Sequence, residues 1–276
     1  MSSADTHVEQ HYGRGRILDS ILSALHAAGR DIARLRPEDL APIDEFHIRG
    51  REATVELARR GYLQAGSRVL DVGCGLGGSA RYLAVEHRCQ VTGIDLTREY
   101  VEAAGFLAGM VGLADKVSFR QASALEMPFG DGSFDVVWTE HVQMNIADKT
   151  AFYREIRRVA RPGGMLLFHD VFRGDSGPLH YPVPWAEEPS ISFLAAPHEA
   201  RQILEDLGFM IRDWEDRTLP SQQWFAAALE RLKTEGQPPL GLHLLMGSTA
   251  RTKFENLFRN LCEGRAVVYQ ACAQRP

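Results

Sequence analysis

The chain has 276 residues, 45% hydrophobic and 24% charged, with a net charge of -5 and an isoelectric point near 6.1. A chain of this length buries roughly 70 to 75% of the surface its unfolded form exposes, so a self-sufficient core is expected. The charge balance offers no global pull on phosphate backbones, no run of about 18 apolar residues exists to span a bilayer, and Cys74, Cys89, Cys262 and Cys272 lack C-x-x-C spacing, which argues against a zinc ribbon or a disulfide scaffold. The opening "MSSADTHVEQHYGRGR" has no apolar signal core. The expectation is a cytoplasmic protein, monomer or homodimer, without nucleic-acid or membrane partners.

In chain order, Ile17, Leu18, Ile21, Leu22 and Leu25 form one helical stripe, and "GREATVELARRGYL" (50–63) reads as a second amphipathic helix. "SRVLDVG" is a short buried strand entering a glycine turn, and "SARYLAVEH" the helix that leaves it. "CQVTGID" is a second strand, followed by a helix with Val101, Ala104, Ala108 and Val111 at helical spacing. "KVSFRQA" is a third strand, "FGDGSFDVVWTE" a turn and a fourth, "DKTAFYREIRRVA" a helix on Phe152, Ile156 and Val159, and "RPGGMLLFHDV" a turn and a fifth strand. Apolar strands alternating with helices predict a parallel, doubly wound sheet covered on both faces.

After residue 173 the rhythm changes. The proline-rich "RGDSGPLHYPVPWAEEPS" reads as a long ordered loop, "PHEARQILEDLGF" as a helix and "MIRDWED" as a strand. Two helical stripes follow, one of Trp224, Phe225, Ala228, Leu229 and Leu232 and one of Phe254, Leu257, Phe258 and Leu261, before a last strand in "GRAVVYQACAQR". The expected organisation is a helical lid over 1–62, a ligand-binding core over 63–175, and a substrate loop, helical cap and final strands over 176–276.

The stretch "DVGCGLGGSA" satisfies two fingerprints: G-x-G-x-x-G through Gly73, Gly75 and Gly78, or an acid followed by G-x-G-x-G through Asp71, Gly73, Gly75 and Gly77. Both ligand classes want a ribose-binding acid after the second strand, and Asp95 fills that place. Charge separates them. A dinucleotide pyrophosphate is repelled by a carboxylate beside the turn, whereas S-adenosylmethionine carries a cationic sulfonium and an ammonium that Asp71 attracts.

"VLDVGCGLGGSARYLA", "VTGIDLT", "FDVVWTEHV" and "RPGGMLLF", in this order over about residues 66–170, resemble the successive motifs of class I S-adenosylmethionine-dependent methyltransferases. The resemblance is to the small-molecule branch, with the quinone, sterol and tocopherol C-methyltransferases and the sarcosine and dimethylglycine N-methyltransferases. It implies an α/β Rossmann-like fold of seven strands with a final antiparallel strand, a small-molecule methyl acceptor, and S-adenosylhomocysteine as product. It implies that Asp71, Gly73, Gly75 and Gly77 hold the methionine part, Asp95 the ribose, and Leu96 the adenine, with the backbone of Ala124 and Leu125 reading the ring. Ser123 stands where the family often has an aspartate on the adenine amino group.

Methyl transfer needs alignment and exclusion of water; a hydroxyl acceptor also needs a base. His141 and His169, at the ends of the fourth and fifth strands, are the catalytic candidates. Glu140 is assigned to the cofactor site, where it would balance a cationic amine. His47, Gln143, Asn145, His180, Tyr181 and Trp185 are the candidate substrate contacts, with Arg49 or Arg51 at the methionine carboxylate and Tyr12 closing the cleft. No metal constellation is present. Two rivals remain: a nicotinamide-dependent reductase, which lacks its Y-x-x-x-K pair because Ala104 and Arg157 follow Tyr100 and Tyr153, and a non-catalytic adenosyl-ligand sensor, whose acceptor pocket would be filled.

Overall fold

A computed structural model describes residues 3–13 and 15–276; Met1, Ser2 and Arg14 of the expected lid lie outside them. Strands β1 (Arg68–Val72), β2 (Gln90–Asp95), β3 (Val117–Gln121), β4 (Phe134–Glu140), β5 (Ala160–Arg173), β6 (Met210–Asp216) and β7 (Ala266–Gln274) form one sheet of order 3-2-1-4-5-7-6. β1 to β5 pair in parallel, and β7 inserts antiparallel between β5 and β6. Strand order reverses between β1 and β4, so the ligand crevice is expected beyond the carboxyl ends of these two strands.

The helices are α1 (Ser3–Tyr12), α2 (Ile17–Ala27), α3 (Ala41–Asp44), α4 (Arg51–Arg60), α5 (Gly78–Glu86), α6 (Arg98–Met110), α7 (Lys149–Val159), α8 (Pro197–Asp206), α9 (Thr218–Glu235), α10 (His243–Met246) and α11 (Ala250–Cys262). Alternation along β1 sends Leu70 and Val72 to one face, where Phe152, Ile156 and Val159 of α7 and Ala200 and Leu204 of α8 meet them. Val69 points to the other face, against Leu57 of α4 and Ala80 and Leu83 of α5. Asp71, two residues on, shares that second face.

Two expected stripes shift. In α6 the buried face is Tyr100, Ala103, Ala104, Leu107 and Ala108, leaving Val101 and Val111 half-buried, because α2 and β3 both pack on this helix. In α9 only Phe225 of the expected stripe is buried; Leu232 is 37% exposed, since the helix outruns its partner α11. The loop between β5 and α8 is ordered as expected, with Val183 and Ala186 bridged and Trp185 buried. No helix of the described residues is long and apolar enough to cross a membrane.

Candidate functional site

A cavity of about 430 Å³ opens at the carboxyl ends of β1, β2 and β4. That volume lies within the range of small-molecule sites, roughly 300–1,000 Å³. Its floor is Gly73, Gly75, Asp95 and Leu96, one wall is Ser123, Ala124 and Leu125, and another is Glu140, His141, Met144 and Asn145. Val8 and Tyr12 of α1, with Phe46, Pro184 and Trp185, roof it. A small side recess of about 40 Å³ continues past Gly73 and Gly75 to Asp71, Ser79, His47 and Glu140.

The glycine turn is shaped by two constraints. Gly73 has φ +73 and Gly75 φ +52, angles that L side chains rarely adopt. A Cβ on Gly73 would lie 2.2 Å from Val142, while Gly75 faces open space on the cavity floor. Gly77 departs from its expected role. It caps α5 at φ +80 with its Cα against Phe119 and Arg81, so it shapes the helix start and lies outside the cavity lining.

Asp95 is held by backbone: the amides of Gly75 (3.0 Å) and Thr97 (2.8 Å) donate to its two oxygens. Burial raises its carboxyl above the ordinary value, and these amides oppose the rise. Glu140 is held by side chains instead, accepting from Ser79 Oγ (2.5 Å) and Trp138 Nε1 (2.9 Å), with Thr54 Oγ1 and His47 Nε2 each at 3.3 Å from Oε1. Asp71 is 3% exposed and its Oδ2 has no hydrogen-bond partner. Burial pushes its carboxyl well up, and the charges of Glu140, Asp95 and Glu45 push it further. Asp71 and Glu140 thus share a recess short of positive charge, and an ammonium supplies both the missing donor and the missing charge.

The expected catalytic histidines are differently placed. His169 is fully buried and outside the cavity lining; its Nε2 donates to the Ile48 carbonyl (3.0 Å), Nδ1 has no partner, and burial lowers its pKa to about 3. It is therefore a neutral structural histidine, a correction to its expected role as a base. His141 does line the cavity, on a left-handed backbone (φ +54) that stacks its ring on His169 at 5.4 Å. Its Nε2 accepts from the Ile48 amide (3.4 Å), and burial holds its pKa well below the usual histidine value. An amide only donates, so the lone pair of His141 is committed and its other nitrogen carries the proton.

Among the candidate substrate contacts, Asn145 and Trp185 line the cavity and His47 lines its recesses. Asn145 accepts from Tyr12 OH (3.0 Å) and donates to the carbonyls of Trp185 (3.0 Å) and Ile191 (2.9 Å), tying the roof to β4. Gln143 is buried, its backbone between Asp170 and Lys149 and its side chain near Tyr153, so it supports the wall from behind. His180 pairs with Glu263 (2.8 Å) and the Asn260 side chain, and Tyr181 packs in the cap cluster; neither lines the cavity. Arg49 is paired to Glu52 and Glu56, and Arg51 to Glu45 and the Tyr82 ring, so neither is free for a ligand carboxylate. The expected closure by Tyr12 and the missed Phe46, Met144 and Pro184 come from segments whose role depends on tertiary docking.

A methyltransferase-domain model matches residues 70–168. The chain is 33% identical over 191 residues to the sarcosine/dimethylglycine N-methyltransferase of Halorhodospira halochloris, covering 69% of this chain and 68% of that one. The chain belongs to the S-adenosylmethionine-dependent methyltransferases. Among solved structures, this methyltransferase is similar to phosphoethanolamine N-methyltransferase 2 of Haemonchus contortus in complex with S-adenosyl-L-methionine, at TM-score 0.76, 20% identity, and coverage of 100% of this chain and 60% of that one. It is also similar to the [4+2]-cyclase SpnF, at TM-score 0.69, 25% identity, and 95% coverage of both chains. The methyltransferase spans 27% to 48% of the length of the first curated relatives it matches. S-adenosylmethionine, the cofactor of this family, fits the cavity by the chemistry of its lining: Asp95 presents a carboxylate at the floor, and the carboxylate of Asp71, with its unpartnered Oδ2, lines the side recess.

Proposed function

We infer that the protein transfers the methyl group of S-adenosylmethionine to a small-molecule acceptor. The observation that carries this reading is Asp71, a buried carboxylate with an unpaired oxygen in an acid-rich recess that opens from the cavity floored by Asp95. In this reading Asp95 takes the ribose hydroxyls, Leu96 packs on the adenine with the backbone of Ala124 and Leu125 along its edge, and Asp71 with Glu140 holds the ammonium. Bound there, the cofactor supplies an electrophilic methyl group. Tyr12, Asn145 and Trp185 keep water from it, and Gly73 and Gly75 let the backbone approach closely.

The experiment is a screen of small-molecule acceptors with S-adenosylmethionine carrying a labelled methyl group. Label in the acceptor, matched by S-adenosylhomocysteine, supports the reading. The whole-chain likeness to a [4+2]-cyclase favours one second reading, in which the bound cofactor is not consumed. An acceptor converted to an isomer of unchanged mass, with no label moved, would establish it. The described cysteines are all free, which supports a reducing compartment such as the cytoplasm as its place of work.

A further inference from the structure

We propose that Lys149 is a positioning residue for methyl transfer: with Asp170 it holds the main chain of Gln143 at both its N–H and its carbonyl, and so sets the cavity wall over 142–146 and the roof docked on it. The proposal rests on the methyl-transfer reading and adds to it two buried residues that lie outside the cavity lining.

Between β4 and α7 the chain makes a single short helical turn, Gln143–Asn145. Val142, Met144, Asn145 and Ile146 in and beside this turn line the cavity. So short a turn cannot bond all of its own polar groups, and two buried side chains take the remainder. Asp170 Oδ2 accepts from the amides of Val142 and Gln143, each at 3.1 Å, and Oδ1 accepts from the Val171 amide (2.8 Å). Lys149 Nζ donates to the carbonyls of Gln143 (2.6 Å), Phe193 (2.6 Å) and Ile146. An ammonium has three donors, and here all three go to main chain.

Phe193 joins this wall to the loop that follows β5. Its amide donates to the Met144 carbonyl (2.7 Å) and its carbonyl accepts from Lys149, so the two segments are held as one body. Asn145 extends that body to the roof through Tyr12 OH and the carbonyls of Trp185 and Ile191. Burying an ammonium is costly, and packing alone would be met by a methionine. What the charge adds is a bond to three carbonyls from two segments, which no apolar side chain makes. Burial lowers the Lys149 ammonium to about 8 against the pull of Asp170, and burial lifts the Asp170 carboxyl to about 7 against its three amides. Tyr12 of α1, Tyr153 of α7 and His169 of β5 surround the pair and are kept uncharged by burial. Asp148, beside Lys149 in the chain, is turned to the Ala151 amide, and residues 189–193 bring no ionisable group. Above about pH 8 Lys149 becomes an amine with two donors for three carbonyls, and the wall loosens.

Amide exchange and calorimetry on the full chain test this in Lys149→Met, which keeps the stem and deletes the charge, and in Lys149→Gln, which keeps a donor without the charge. In Lys149→Met, exchange at Gln143, Asn145 and Phe193 should quicken at least about tenfold, while the amides of β1 and β2 stay within about threefold. S-adenosylhomocysteine affinity should fall about tenfold in Lys149→Met and less in Lys149→Gln. In wild type that affinity should weaken as pH rises past about 8, more steeply than in Lys149→Met, since the ligand's own groups titrate alike in both. Exchange that quickens evenly over wall and sheet, exchange unchanged at the wall, or unchanged affinity in Lys149→Met overturns the proposal. Should Lys149→Met not fold, Lys149→Gln and the wild-type pH profile decide, and a profile flat from pH 7 to about 9 overturns it. Failure of S-adenosylhomocysteine to bind wild-type protein instead sinks the methyl-transfer reading, while exchange at the wall still reads whether Lys149 holds it.

Discussion

The floor and the roof of the cavity hold their acids by different means. Asp95, on the floor, is fixed by two backbone amides supplied by the turns after β1 and β2. Glu140, where floor meets roof, is fixed by side chains: Trp138 of β4 and, from α4, α5 and the 45–50 segment, Thr54, Ser79 and His47. A backbone cradle is inherited from the sheet and tolerates change in its neighbours, whereas a side-chain cradle depends on residues far apart in sequence. The floor is thus preorganised by the sheet itself, whereas the roof takes its shape from segments that pack onto the sheet.

Substitutions that sharpen this contrast can be ranked by expected effect. Gly73→Ala should be the most severe, since it meets both a positive φ and Val142 at 2.2 Å. A loss of about 3 kcal/mol in urea unfolding is expected, with S-adenosylhomocysteine binding abolished. Asp95→Ala removes the acceptor for two amides and the carboxylate proposed to meet the ribose; calorimetry should show S-adenosylhomocysteine affinity falling about 10- to 100-fold, and an unchanged dissociation constant would rule out that contact.

Next in size is a pH effect. His169 has a folded pKa of about 3, below its unfolded value, so the unfolded state binds the extra proton first as pH falls. That group costs nothing above about pH 6.5 and removes stability progressively down to about pH 3. His169→Gln keeps a donor for the Ile48 carbonyl and deletes the titration. The wild-type melting temperature should therefore fall faster than the variant's between pH 6.5 and 4; parallel curves would refute the neutral, buried assignment. Smallest is His180→Ala, which breaks a partly exposed pair with Glu263. It should leave the urea-unfolding midpoint nearly unchanged, because solvent screens such a pair, and leave cofactor affinity unchanged.

The same contrast explains what could be read from the sequence. The succession of strands along the chain, the glycine turn, and the places of Asp95 and of Ser123, Ala124 and Leu125 at strand ends are local: each follows from a strand ending where its motif ends. Asp71 could be weighed in the sequence by its charge, while its burial and unpartnered oxygen came only with the fold. His169 misled because strand alternation gives two faces without saying which is sealed, and the carbonyl that seals it, Ile48, is 121 residues away in sequence. His180 misled because a proline-rich loop carries no period from which a direction can be taken; its partner Glu263 lies at the end of the cap. His47 was visible only as a polar residue in the roof, since its significance lies in the Gly50 carbonyl and in Glu140, which only folding brings to one nitrogen.

The central claim is that the cavity, with Asp95 on its floor and Asp71 and Glu140 in its side recess, holds a cationic, phosphate-free nucleoside. The most direct measurement is a calorimetric titration of the wild-type chain and of Asp71→Asn with S-adenosylmethionine and with NADP. The account predicts saturable heat with S-adenosylmethionine, weakened about tenfold or more in Asp71→Asn, and none with NADP. Binding of NADP with no heat from S-adenosylmethionine would contradict it.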